Sequence, residues 1–71
     1  MKKYCVKLCA GEYIEFRETK LVSYTLDYTE SLIKLTKHEY DSEKFKNYKT
    51  SIAFLVPIQN ILWVNVVDIS D

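Results

Sequence analysis

Two cysteines and one histidine, Cys5, Cys9 and His38, are the residues best suited to do chemistry in this chain. Cys5 and Cys9 lie four positions apart in an alternating stretch. A β-strand there puts both thiols on one face with their Cα atoms about 13 Å apart, too far for a disulfide. A thiol–imidazole pair is one route to nucleophilic catalysis, but nothing in the sequence brings either cysteine to His38. Three such residues also fall short of a zinc site. We therefore expect buried, reduced, structural cysteines, with no catalytic residue, no metal and no cofactor.

Aromatic rings beside cations are the second chemical feature of the sequence. The chain has six tyrosines. Tyr13 and Arg17 fall on the predicted outer face of one strand, while Lys37 and Tyr40 lie in a polar segment. A flat ring next to a cation stacks on a nucleic-acid base or anchors in a protein pocket. These four residues are the predicted binding surface.

The charge balance limits the class of partner. Ten acidic and ten basic residues in 71 give a net charge of zero, so no overall field draws the protein to nucleic acid or to a membrane. The sequence thus favours a protein or a small nucleotide-like ligand as partner, with RNA or DNA as the alternative. Its length allows one domain, residues 1–71. A domain this small is marginally stable alone, which favours self-association.

Alternating apolar residues predict most of the strands. Strands are predicted over residues 3–9, 13–18 and 20–28, with Gly11 supplying a positive φ in the first turn. Residues 30–38 fit a fourth strand slightly better than a helix. For residues 37–50 we expect a long loop with at most one short helical turn, near residues 41–48.

The last quarter of the chain consists of two apolar runs, residues 52–56 and 61–67, separated by the break Pro57–Asn60. Both runs are apolar on both predicted faces, so something must cover the second face. If Leu62 and Val64 face the core, a second stripe remains exposed on the last strand. We expect this stripe to be the contact between copies of the chain in a homo-oligomer; its residues are Ile61, Trp63, Val67 and Ile69.

The order of these segments resembles that of the small SH3-like and Sm-like barrels, whose last two strands are joined by a single 3-10 turn, here Pro57–Asn60. The resemblance implies an all-β fold, a five- to six-stranded antiparallel barrel or a strongly bent sheet. An open antiparallel sheet with one helix packed across it is the alternative architecture.

The functional prediction follows from these surfaces. We expect a non-catalytic cytoplasmic β-domain that binds or sequesters a protein or nucleotide-like partner as a homo-oligomer. The lack of a signal peptide or membrane-spanning run supports the predicted location. The small size and lysine-rich composition suggest a phage or mobile-element accessory inhibitor. The alternative is a small-barrel RNA- or DNA-binding protein.

Overall fold

Antiparallel strands make up almost all of the fold. The computed structural model describes residues 1–42 and 47–69. In chain order the elements are β1 (Lys2–Leu8), β2 (Tyr13–Arg17), β3 (Val22–Tyr28), β4 (Leu32–Tyr40), β5 (Asn47–Pro57), a 3-10 turn (Ile58–Asn60) and β6 (Ile61–Asp68). The predicted all-β class and the 3-10 turn before the last strand are confirmed. The fourth strand predicted at residues 30–38 is present as β4, with its bounds at Leu32 and Tyr40.

The six strands form two separate three-stranded sheets. The first has the order β2-β1-β6 and the second the order β3-β4-β5. The first strand therefore pairs with the last, and β1 and β4 are the central strands. The two sheets are not closed into a barrel, so this part of the prediction is wrong.

A break between β2 and β3 separates the sheets. There the Glu18 carboxylate accepts the Lys2 N–H through Oε1 at 2.9 Å and the Tyr24 N–H through Oε2 at 3.1 Å. A carboxylate that accepts backbone N–H groups gives them the partners that a neighbouring strand would supply in a closed barrel. Glu18 thus joins the start of the first sheet to an edge strand of the second.

The core lies between the two central strands. Tyr4 and Val6 from β1 face Ile33 and Leu35 from β4, and Phe54 from β5 completes the buried cluster. Leu35 is only 1% exposed.

Aromatic contacts join the sheets around this core. The Phe16 ring lies 5.8 Å from that of Tyr24 and 6.0 Å from that of Phe54, between ring centroids. Such edge and tilted pairs each add a fraction of a kcal/mol to about 1.5 kcal/mol beyond the area that they bury.

The polar segment after residue 36 differs from the prediction. β4 continues to Tyr40 and β5 begins at Asn47, so residues 37–40 and 47–50 pair as a hairpin where we expected a loop. Charged side chains can lie on the inward side at this end of the hairpin because they pair with each other. Lys37 Nζ lies 3.2 Å from Glu39 Oε1. The expected helical turn falls largely on residues 43–46, outside the described residues. No helix in the described part of the chain is long and apolar enough to cross a membrane.

Candidate ligand-binding face

The outward side of the first sheet gathers exposed aromatic and charged residues. In β1 the side chains of Tyr4, Val6 and Leu8 pack into or against the core, so the intervening positions point outward. The strand register places outward residues of β2 and β6 beside them. We call this surface the aromatic face; its residues are Lys3, Cys5, Lys7, Tyr13, Glu15, Arg17, Trp63, Asn65 and Val67.

Two aromatic rings meet across the central strand. Tyr13 and Trp63 both pair with Lys7, one from each side. Their backbones are two strand spacings apart, about 10 Å, yet their ring centroids are 5.9 Å apart with an interplanar angle of 54°. The rings therefore lean towards each other over β1. They remain 49% and 42% exposed, so both present ring surface to solvent.

Cys5 lies on the same face, two positions before Lys7, between Glu15 and Asn65 of the neighbouring strands. It is 5% exposed although it points away from the core, and its thiol is unpaired. The expected buried, reduced state is confirmed for Cys5. Cys9 is also an unpaired thiol, but its expected burial is wrong, because it follows the end of β1 in an exposed turn with its Sγ 3.5 Å from the Gln59 carbonyl oxygen. The alternation ends at Leu8, where the chain turns through Gly11 with a φ of 105°.

Hydrogen bonds fix the orientation of Tyr13. Its hydroxyl donates to Glu15 Oε1 at 2.6 Å, and Lys3 Nζ lies 3.6 Å from the same oxygen. Interaction with the Cys5 thiol, and then with the Glu15 carboxylate, raises the pKa of the Tyr13 hydroxyl. The hydrogen bond from Tyr13, followed by the nearby positive charge of Lys3, lowers the pKa of Glu15. Tyr13 thus remains a neutral donor, and Glu15 remains a charged acceptor, near neutral pH.

Positive charge predominates on the aromatic face. Among the described residues it carries Lys3, Lys7 and Arg17 against one carboxylate, Glu15. Lys7 Nζ donates to the Gly11 carbonyl at 2.8 Å, which directs this ammonium group towards the first turn. A neutral chain therefore has a locally cationic surface around its two exposed rings, a pairing that net charge alone does not reveal.

The structure divides the predicted binding residues between the sheets. Tyr13 and Arg17 share the aromatic face. Lys37 lies on the core side of the second sheet, in the ion pair with Glu39. Tyr40 lies on that sheet's outer side, with its hydroxyl 3.2 Å from Ser23 Oγ. Lys37 and Tyr40 do not adjoin the first pair.

The predicted oligomer stripe is also divided, because β6 has an irregularity. The register shifts so that Leu8 pairs with Ile61 while Lys7 pairs with Trp63. As a result Ile61 packs against the core and Leu62 is 62% exposed, the reverse of the expected assignment. Trp63 and Val67 point outward as expected. Ile69 follows the strand, and its N–H donates to the Met1 carbonyl at 2.9 Å.

Sequence reasoning missed the lysines of this face. Lys3 and Lys7 alternate with the core residues of β1, which signals that they point outward. The link to Trp63 has no such local signal, since it depends on pairing between the two ends of the chain.

Other potential sites are weaker. An open pocket of about 510 Å³ lies at the end of the first sheet, lined by Leu8, Cys9, Ala10, Glu12 and Asn60. Its one charged group is a carboxylate, which disfavours an anionic ligand. Within residues 1–42 and 47–69, no three His, Cys, Asp or Glu side chains come together to hold a metal ion.

Comparisons with known proteins returned no family model, no curated protein and no solved structure that matches the chain.

Proposed function

We propose that the protein is a non-catalytic binding module whose aromatic face holds a ligand with an aromatic base and a phosphate. The observation that carries the proposal is the half-exposed Tyr13–Trp63 pair, which has Lys7 between its two strands and Lys3 and Arg17 four positions further along the same face. Exposed rings stack on bases of any sequence, with about 1–3 kcal/mol per base, and neighbouring cations bind the phosphates.

The shape of the aromatic face helps to distinguish a nucleic-acid strand from a free nucleotide as the source of the base and the phosphate. The rings lie on an open sheet surface, which accommodates the successive bases of a single strand. A free nucleotide offers the same base and phosphate but buries less surface there. Sequestration of such a molecule is the form of inhibition that this face suits, in keeping with the expected role as a phage or mobile-element accessory protein.

Trp63 provides the test, because it is the chain's one tryptophan and lies on the proposed surface. Its fluorescence should be quenched on titration with a single-stranded oligothymidylate or a homopolymeric oligoribonucleotide. Rising salt should weaken binding, because each cation that neutralises a phosphate releases counterions. Parallel titration with mononucleotides separates a free nucleotide from a strand as the source.

Matched variants locate the surface. Tyr13→Ala together with Arg17→Ala leaves the reporter in place and should weaken binding by about 2 kcal/mol or more. The control, Tyr28→Ala with Lys34→Ala, removes an exposed tyrosine and a cation from the second sheet and should bind normally. Absence of quenching by both strands and nucleotides rejects the proposal and favours a protein partner. Equal loss in the two double variants places the ligand elsewhere.

A further inference from the structure

The outer side of the edge strand β5 carries an exposed aliphatic pair. Ile52 pairs with Thr36 and Leu55 pairs with Lys34, both on the side of β4 away from buried Leu35. Ile52 is 59% exposed and Leu55 is 48% exposed. The register shift between Leu35 and Thr36 puts these residues on the same face although they lie three positions apart.

From Thr50 onward this strand lacks the charged side chains that commonly protect a sheet edge, while it keeps a bulge beside Ala53 and ends in Pro57. Natural edges carry charges, which prevent pairing with another chain. Residues 50–67 contain no Asp, Glu, Lys or Arg, so from Thr50 to its end β5 has no charge. The opposite edge strand of the same sheet, β3, carries Asp27, and its Tyr24 N–H is bound by Glu18.

We propose that β5 pairs antiparallel with β5 of a second copy of this chain, about a two-fold axis, with Ile52 opposite Leu55 of the other copy. An antiparallel strand paired with itself is self-complementary, as a two-fold dimer requires. In this register outward residues meet outward residues, and the two Ile52–Leu55 pairs form one apolar cluster at the axis. Ser51 then lies opposite Val56, both on the inward side.

The charges of β5 are compatible with the same register. Lys49, whose side chain is 64% exposed, lies opposite uncharged Ile58 of the other copy and already has a carboxylate partner in its own chain, since its Nζ lies 4.0 Å from Glu39 Oε2. No like charges of the described residues therefore face each other across the two strands.

The contact replaces the one predicted on β6. Exposed apolar residues of β6 point to both sides of its sheet, with Val66 on the core side and Trp63 on the aromatic face. A dimer through β5 leaves the aromatic face open, so the two proposals stand or fall separately.

Sedimentation velocity tests the pairing across a range of micromolar concentrations. The unmodified chain should form a concentration-dependent dimer, and Ile52→Glu and Leu55→Lys should each be monomeric, since either puts an unpaired charge in the apolar cluster. Mixing the two variants should restore a dimer, because the register brings the new carboxylate against the new ammonium group. Tyr28→Glu, at a site 58% exposed on β3, is the control and should dimerise normally.

Several results would overturn the proposal. These are a monomer at every concentration of the unmodified chain, no rescue on mixing folded variants, or assembly beyond a dimer, which indicates head-to-tail contacts. Circular dichroism confirms that each variant is folded. If either single variant fails to fold, Ile52→Thr and Leu55→Thr replace them, and unchanged dimerisation of both then rejects the contact.

Discussion

On the second sheet the His38 imidazole lies between two threonine hydroxyls, whereas on the first sheet two aromatic rings lie half-exposed on a face that carries three cations. His38 Nε2 is 2.8 Å from Thr25 Oγ1, and His38 Nδ1 is 3.4 Å from Thr50 Oγ1. The polar groups of the second outer face thus interact with one another across its three strands. On the aromatic face the hydrogen bonds instead orient a ring, and its surface is left to solvent.

The outer face of the second sheet is thus a polar surface that stabilises its own sheet, whereas the aromatic face has ring surface that a ligand could contact. Hydrogen-bond donors and acceptors that already have partners gain little from a ligand. Exposed rings gain contact area on binding, and a ring held in one orientation loses little conformational entropy. The chain's one histidine therefore lies on the sheet whose outer polar groups are already paired, and the exposed rings lie on the other sheet.

The largest expected effect comes from the core that supports both faces. Leu35→Ala removes a nearly fully buried side chain between the sheets and should lower the free energy of unfolding by about 3 kcal/mol. In a chain this small, both faces should be lost in one transition. Urea unfolding followed by Trp63 fluorescence and by circular dichroism measures this. The exposed control Leu62→Ala should change stability little, and non-coincident transitions would show that the sheets unfold separately.

Serine substitutions of the two cysteines should have smaller effects on stability, and they compare a buried site of the aromatic face with an exposed turn. Cys5→Ser places a hydroxyl at a site of the aromatic face that is only 5% exposed and should cost about 1–2 kcal/mol of stability. Cys9→Ser changes an exposed residue and should be nearly neutral. Thermal unfolding of the two variants measures the difference. Similar losses in both would mean that burial does not decide their roles.

Local patterns in the sequence predicted the local parts of the fold. The alternation in β1 to β3, the positive φ of Gly11 and the 3-10 turn after Pro57 each depend on a few neighbouring residues, and all are confirmed. The ends of β4 and β5 were missed because polar side chains there satisfy one another across a hairpin that has no apolar alternation.

The arrangement of the candidate surfaces depends on features that lie beyond such patterns. One extra residue in β6 reverses the expected directions of Ile61 and Leu62, and the shift in β5 brings Ile52 and Leu55 to one face. Because side chains alternate with a period of two, a single irregularity reverses the assignments on one side of it relative to those on the other. The aromatic pair requires contact between Tyr13 and Trp63, which are far apart in the chain.

The smallest expected effect concerns pH and the aromatic face alone. The hydrogen bond from Tyr13 lowers the pKa of Glu15, so the folded state favours the carboxylate more than the unfolded state does. The stability that this contact contributes is therefore present above the unfolded-state pKa of Glu15 and is lost as the pH falls through the lower, folded-state value.

Tyr13→Phe keeps the ring but removes the donor, so the pKa of Glu15 should rise towards its ordinary value. NMR titration of the Glu15 carboxylate measures this shift, with Glu12, an exposed glutamate in the first turn, as the internal reference. If the pKa of Glu15 is the same in both proteins, the hydroxyl does not donate to the carboxylate in solution. The orientation of Tyr13 would then depend on its contact with Trp63.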